Sequence, residues 1–296
     1  MTWWEAAVLG LVQGLAEFLP ISSSGHLVLG QYLLGIDEPD ITFEVFVHFG
    51  TTLSILTVYW SRIVRILRDG AGARARPAAW REAVRPGPIE RARGDALEPE
   101  PQPEQEPQPG GGAVPSLRLI LYILVTMVPT GVAYVLFEEP LEAAFADPRL
   151  VCGMLLVTGA LLLLTRLRPS PDGVLSPLKS VLVGVAQAAA LIPGISRSGS
   201  TICTAIYLNV DRKEAADFSF LMLLPVVLGA TLLKVLDLAE TGVSGSLVAL
   251  GLGTLVAYVS GIVAIRAVVI LVQRRSLQYF AFYCFAVGIL GLVFIG

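Results

Sequence analysis

The 296 residues are 54% hydrophobic and only 15% charged, and the mean hydropathy of +0.71 is too high for an ordinary soluble domain. The net charge of −3 excludes little, because in a membrane protein the positions of the charges carry the information. The composition therefore indicates a multi-pass integral membrane protein. Without a basic first segment or a small-residue cleavage site, the N-terminus is not expected to be a cleaved signal peptide. The three cysteines lie in apolar runs, and we expect buried thiols: Cys152, Cys203 and Cys284.

The first predicted elements are two short apolar arms. Residues 3–19 and 26–36 are each shorter than the roughly 20 residues that a spanning helix needs. Pro20 and Gly25 interrupt the helix between the arms, so we predict a re-entrant hairpin with the serine-rich turn at its tip. An acidic turn follows over residues 36–40, and residues 43–60 are then long enough to span the membrane.

Arginines follow this first span, and by the positive-inside rule they place the next loop in the cytoplasm. The loop runs into residues 94–112, a tract rich in Pro, Glu, Gln and Gly that we expect to be disordered and without a catalytic part. Residues 117–137 and 150–167 are predicted to lead out across the membrane and back, with an acidic segment between them.

The second half of the chain repeats this order. Residues 181–192 and 202–210 are short arms on either side of Pro193-Gly194, and the basic turn Arg212-Lys213 places this second hairpin on the cytoplasmic side. Three further spans are predicted, over residues 215–236, 246–266 and 277–296. The total is six spans and two hairpins.

Each half is thus a hairpin followed by three spans, with opposite orientations. We predict an all-α integral membrane protein made of two inverted-topology repeats, each a re-entrant helical hairpin plus three transmembrane helices. One membrane domain is expected, in four parts. These are 1–69 (first hairpin and first span), 70–115 (disordered cytoplasmic insertion), 116–168 (remaining spans of repeat one) and 169–296 (repeat two).

The polar residues of the two breaks suit phosphate chemistry. Glu17, three serines and His26 lie in a stretch that is otherwise apolar, and at bilayer depth such groups need partners or a wet cavity. A serine beside an imidazole offers a nucleophile with a base, or the imidazole itself attacks phosphorus. In the second break Arg197 can bind two phosphate oxygens at once. Glu17 and Gln13 share a helix face and could hold Mg²⁺ or Ca²⁺ through oxygen ligands.

Each of these residues also has a structural interpretation. The serines could satisfy backbone groups at a helix break, Arg197 could pair with Glu17, and His26 could be a buried, hydrogen-bonded histidine. The position of His26 directly after the SSSG stretch, at the predicted tip of the hairpin, favours a functional role. We therefore assign catalysis to Ser23, His26, Glu17 and Arg197, with Ser23 favoured as nucleophile, and a metal to Glu17 and Gln13. Substrate binding is assigned to Ser22, Ser24, Gly194, Ser196, Ser198 and Thr201.

These two stretches, GLAEFLPISSSGHL and PGISRSGST, resemble the motifs of the undecaprenyl-diphosphate phosphatase family, also called the bacitracin-resistance proteins. That family carries (E/Q)xxxE running into PxSSxGH, and later PGxSRSxxT. The resemblance extends to TFEVFVHFGT and EAADFSFLMLLPVVLGAT, and covers most of the chain outside the loop at 70–115. Position 13 departs from many members, because Gln13 replaces a glutamate and a neutral amide binds metal more weakly.

The resemblance implies a bacterial inner-membrane enzyme that hydrolyses undecaprenyl diphosphate to the monophosphate and recycles the lipid carrier for peptidoglycan synthesis. It also implies a divalent-metal requirement and a site that opens to the periplasm. The expected partners are the lipid substrate and membrane lipid, without nucleic acid. The sequence leaves open a homodimer, the metal, the prenyl length, and attack by Ser23, His26 or metal-bound water.

Two alternatives belong to other classes. The type 2 phosphatidic acid phosphatases also carry SGH and SR, but they need a histidine after the arginine, and none follows Arg197 here. A lipid-carrier transporter would share the inverted repeats and could use Arg197 for the same headgroup. Phosphate release by the purified protein separates the enzyme from the transporter.

Overall fold

The computed structural model describes residues 1–34, 41–74, 116–168, 170–241 and 246–295. The predicted turn at 36–40 and nearly all of the predicted insertion, 75–115, lie outside these ranges. Within them the chain is all-helical, with ten α-helices and one 3₁₀ turn, Thr165–Leu167. The helices are α1 Trp3–Ala16, α2 Ser23–Leu34, α3 Ile41–Arg74, α4 Ser116–Phe145, α5 Pro148–Leu164, α6 Pro177–Ala189, α7 Arg197–Tyr207, α8 Arg212–Thr241, α9 Leu247–Gln273 and α10 Leu277–Phe294.

Four of the described helices are long and apolar enough to cross a membrane: Leu117–Phe145, Pro148–Leu167, Leu247–Gln273 and Leu277–Phe294. They coincide with four of the six predicted spans. The other two predicted spans correspond to α3 and α8, which are long helices with several polar and charged residues. The total of six spans stays a prediction.

The end of α4 differs from the prediction. We expected the helix to end at Phe137, before the acidic segment, but it continues to Phe145 beyond a kink at Phe137 (φ −124°, ψ 22°). The kink lies three residues before Pro140, whose ring blocks a regular helical hydrogen bond. The acidic residues after Phe137 are therefore part of a helix. At the other side of the insertion, α3 continues to Arg74, past the predicted boundary at residue 70.

The two interruptions predicted at Pro20 and Pro193 are present. We call residues 17–22, between α1 and α2, the first break, and residues 190–196, between α6 and α7, the second break. Ser22 has φ 72° and Gly194 has φ 92°, values in the left-handed region that a helix does not use. Each break is thus fixed by a proline and by one residue in that region.

Short helices are held by close packing on long ones. α1 packs against α9, and α6 packs against α4. At the first crossing a Cβ on Gly10 would lie 2.4 Å from the Gly253 carbonyl oxygen, and at the second a Cβ on Gly184 would lie 2.8 Å from the Thr126 Cα. Both glycines let the helix backbones touch, and this contact fixes where the two breaks lie in the bundle.

Candidate active site

The two breaks meet inside the helical bundle. A Cβ on Gly25 would lie 3.1 Å from the Gly194 Cα, and one on Gly199 would lie 3.3 Å from the Pro20 Cβ. The Ser198 hydroxyl donates a hydrogen bond to the Leu19 carbonyl at 3.2 Å. Residues separated by more than half of the chain are therefore in direct contact, and the polar side chains of both motifs lie at one junction.

Glu17 is the centre of this junction. The residue is buried, with a relative exposure of 4%. One carboxylate oxygen, Oε1, forms an ion pair with Arg197. The other, Oε2, accepts hydrogen bonds from Gln13 Nε2 at 3.0 Å and from the Ser23 hydroxyl at 2.6 Å. These bonds supply the partners that a buried carboxylate needs, and they place Arg197 and Ser23 on the same acidic group.

The Ser23 hydrogen bond differs from the serine–histidine arrangement that we expected. Both ring nitrogens of His26 have other partners. Nδ1 lies 2.8 Å from the Ser22 carbonyl oxygen, and Nε2 lies 2.8 Å from the Tyr283 hydroxyl. Because a carbonyl only accepts, Nδ1 carries the hydrogen, and in the neutral ring Nε2 accepts from Tyr283. In the structure, Ser23 therefore donates to Glu17, and His26 is hydrogen-bonded to Tyr283 instead of to Ser23.

The first break is closed by its own serines. The Ser22 hydroxyl accepts a hydrogen bond from the Gly25 N–H at 3.3 Å and lies 3.3 Å from the Ser24 hydroxyl. These bonds are of the backbone-satisfying kind that we considered as the structural role of the serines. They stabilise the first turn of α2 and leave Ser23 as the serine of this turn that reaches Glu17.

The second break is held from α5. Thr158 is buried, and its hydroxyl donates to the Gly194 carbonyl and accepts from the Ser196 N–H, both at 2.9 Å. The Ser196 hydroxyl caps α7 by accepting from the Gly199 N–H at 3.1 Å, and it lies 3.3 Å from the Ser198 hydroxyl. The start of α7, where Arg197 is the first residue, is thereby fixed.

Thr201 lies apart from the junction. Its hydroxyl donates to the Arg197 carbonyl at 2.9 Å and therefore accepts from the Ser219 hydroxyl on α8, at 2.6 Å. It is 1% exposed. These contacts connect α7 to α8, and in this structure Thr201 stabilises the backbone at Arg197.

Sequence reasoning missed three residues of the site: Thr158, Tyr283 and Ser219. Thr158 and Ser219 are short hydroxyl residues in apolar helices, where a hydroxyl usually bonds to its own helix. Tyr283 is one of several aromatic residues in α10 and has no motif around it. The only signal for each is its spatial partner, which a single sequence does not contain.

Comparison with known proteins identifies the family. The sequence model for "Bacitracin resistance protein BacA" matches residues 6–290. The chain belongs to the bacitracin resistance protein family. It is 57% identical over 295 residues to an undecaprenyl-diphosphatase of Salinibacter ruber, with 99% of each chain covered. It is 36% identical over 300 residues to an undecaprenyl-diphosphatase of Halothermothrix orenii, covering 100% of this chain and 99% of that one. A third such protein, from Methanobrevibacter smithii, is 35% identical over 296 residues and is covered to 96%.

This member of the family offers a metal ion few ligands. Among the described residues no group of three His, Cys, Asp or Glu side chains could hold an ion. Gln13 is fully buried, and its Oε1 has no hydrogen-bond partner within the described chain. An unpaired buried carbonyl oxygen next to a carboxylate suits a hard cation that takes its remaining ligands from phosphate. The residues present therefore fit a cation bound together with substrate.

Proposed function

We propose that this protein is an undecaprenyl-diphosphatase, which hydrolyses undecaprenyl diphosphate to undecaprenyl phosphate and inorganic phosphate. The recycled carrier serves peptidoglycan synthesis, and the activity confers bacitracin resistance. The names of its relatives support this activity. The observation that carries the proposal is the junction itself, where Ser23 and Arg197, the first residues of the helices that follow the two breaks, both contact the buried carboxylate of Glu17.

In the mechanism we infer, the Ser23 hydroxyl attacks the terminal phosphorus of the diphosphate. Its proton passes to Glu17 Oε2, the atom that already accepts it as a hydrogen bond at 2.6 Å. The new Ser23 Oγ–P bond forms as the bond from phosphorus to the bridging oxygen breaks, and undecaprenyl phosphate leaves. Water then attacks the phosphorus and forms a new P–O bond as the Ser23 Oγ–P bond breaks; Glu17 returns its proton to Ser23 Oγ, and inorganic phosphate leaves.

Arg197 supplies the positive charge for this transfer. Its guanidinium is held at the buried end by Glu17, and its planar fork can bind two oxygens of the transferring phosphoryl group. The neighbouring α7 N-terminus adds a favourable dipole for an anion. Ser196 and Ser198 line the same turn and serve as ligands for the phosphate.

His26 and Tyr283 act beside the serine turn. The His26 Nδ1–H bond to the Ser22 carbonyl holds that turn in shape, and the Tyr283 hydroxyl fixes the opposite ring nitrogen. We assign Tyr283 as a positioning residue that sets the ring's orientation and tautomer. Direct attack by His26 remains the competing mechanism, and it would require the ring to leave Tyr283.

A divalent cation, Mg²⁺ or Ca²⁺, is proposed to bind with the substrate, with Gln13 Oε1 and Glu17 as its protein ligands. When bound, the ion would neutralise diphosphate charge and polarise phosphoryl oxygens. The support is the buried Oε1 of Gln13, which has no partner among the described residues and lies next to the Glu17 carboxylate.

In the bacterial inner membrane, we propose that the chain forms two inverted repeats with re-entrant hairpins and a site that opens to the periplasm. Equivalent helices of the two halves pack alike, since α1 lies on α9 as α6 lies on α4. The arginines that follow α5 and α9 support this orientation, because the positive-inside rule assigns such ends to the cytoplasmic side. The division into segments 1–69, 70–115, 116–168 and 169–296 stays a prediction, and so does any homodimer.

The alternative is a lipid-carrier transporter, which the paired helix breaks favour. The deciding experiment measures phosphate release from undecaprenyl diphosphate by the detergent-purified protein, with and without EDTA. The enzyme releases phosphate in detergent, where no second compartment exists, and EDTA stops the release. Absence of phosphate release together with movement of the lipid across vesicles would establish the transporter instead.

A further inference from the structure

A polar cavity lies where α8 begins and α9 ends. Its volume is about 380 Å³, and it shares no lining residue with the junction of the two breaks. Three of its lining residues are cationic, Arg212, Lys213 and Arg275, and one is acidic, Asp211. The Asp211 carboxylate is already used at the α8 N-terminus, where one oxygen accepts the N–H groups of Lys213 and Glu214 at 2.9 and 3.1 Å. Positive charge therefore prevails in the cavity.

Arg212, which lines this cavity, has side-chain donors that the described helices leave without a partner. It is buried, with a relative exposure of 7%, and its Nη2 donates to the Arg168 carbonyl at 2.9 Å. Nε and Nη1 have no hydrogen-bond partner within the described part of the chain. Burial and the neighbouring Arg275 guanidinium lower the pKa of Arg212. Two unused donors on a buried cation that faces a second cation indicate an anionic partner.

Hydrogen bonds hold the segments that surround the cavity in place. The Asp211 N–H donates to the Gly173 carbonyl at 2.8 Å, and Asn209 Nδ2 donates to Asp172 Oδ1 at 3.0 Å. On the opposite side Arg275 Nη2 donates to the Ser170 hydroxyl at 2.9 Å. These bonds join the segment after α5 to the start of α8 and to the end of α9. They therefore hold the charged residues that line the cavity in fixed positions.

We propose that this cavity is a second anion site, which binds a phosphate group between Arg212, Lys213 and Arg275. Arg212 lies at the base and offers two donors of a planar fork, while Lys213 and Arg275 are exposed at the mouth. The N-terminus of α8 adds its dipole. The same chemistry fits free phosphate or the phosphate of an anionic lipid headgroup.

The test compares Arg212→Gln and Arg275→Gln with Arg274→Gln, which removes the same charge from an exposed neighbour that does not line the cavity. Inorganic phosphate is titrated into each purified full-length protein by calorimetry. In parallel, native mass spectrometry counts phosphatidylglycerol retained from nanodiscs that contain it together with phosphatidylcholine. The catalytic site is the same in all three variants, so their differences report this cavity.

For a free-phosphate site, both cavity variants weaken phosphate binding about tenfold or more while Arg274→Gln matches the wild type. For a headgroup site, phosphate titrations stay unchanged and the cavity variants lose retained phosphatidylglycerol. Either result supports the proposal. If both cavity variants match Arg274→Gln in both measurements, the proposal is wrong. Should Arg212→Gln fail to fold, the exposed Arg275→Gln decides in the same way.

Discussion

Replacing Thr158 by valine tests how the second break is held in place. The Thr158 hydroxyl makes two buried hydrogen bonds of 2.9 Å, to the Gly194 carbonyl and from the Ser196 N–H. Valine has nearly the same shape but makes neither bond. An unsatisfied buried backbone group costs about 1–3 kcal/mol, so the pair amounts to roughly 2–4 kcal/mol if the break relaxes partly. We expect this energy to appear as lower stability and as displacement of Arg197.

The assay combines thermal unfolding in detergent with phosphate release from undecaprenyl diphosphate. Thr158→Val should unfold at a lower temperature and lose roughly tenfold to a hundredfold in kcat/KM, because a misplaced binding group is costly to catalysis. Thr158→Ser keeps the hydroxyl and is the matched control, expected to stay near wild type. If Thr158→Val is as stable and active as Thr158→Ser, the two bonds do not position the site.

Three further substitutions follow from the structure. Arg197→Lys should lower kcat/KM by about a hundredfold in steady-state assays, because an ammonium group cannot make the two-point contact; near wild-type turnover would make Arg197 structural. Tyr283→Phe should lower kcat about fivefold, which corresponds to the loss of about one hydrogen bond to His26, and should leave KM and the melting temperature unchanged. A change in the melting temperature alone would show that Tyr283 has only a packing role. Burial raises the pKa of Glu214, outside the predicted spans, to about 7 against an ordinary 4.5, although a Leu175 backbone hydrogen bond opposes this. The folded state then binds more protons than the unfolded state between these values, and stability falls as pH rises through that window. Glu214→Gln should therefore melt higher than wild type at pH 8 and lose this advantage near pH 5; equal pH profiles would refute the assignment.

The two breaks, and the polar side chains that lie next to them, could be predicted because the signals are local in the sequence. Pro20 and the Pro193-Gly194 pair cannot continue a regular helix, and a run of serines before a histidine is unusual in an apolar segment. The same holds for the site residues that the motifs contain. Their meeting inside the bundle needed only the expectation that broken segments line a shared cavity.

The hydrogen-bond partners within the site could not be predicted. The sequence places Ser23 three residues before His26, which made a serine–histidine pair attractive, yet in the structure the backbone of the first break turns the hydroxyl towards Glu17. His26 instead reaches Tyr283, 257 positions away. The predicted end of α4 was wrong for a related reason, because the helix continues beyond a kink at Phe137 and includes the acidic segment. Such outcomes depend on tertiary neighbours, which one sequence does not display.

The most direct test of the central claim is to trap the phosphoryl group on the enzyme. The purified protein is quenched during turnover of undecaprenyl diphosphate labelled in its terminal phosphate, digested, and its phosphopeptides are analysed for acid stability. The account predicts an acid-stable phosphoserine at Ser23, which Ser23→Ala abolishes along with activity, by roughly a thousandfold or more. Ser24→Ala, one residue away, should retain the adduct. An acid-labile adduct on His26, or full turnover by Ser23→Ala, would contradict it.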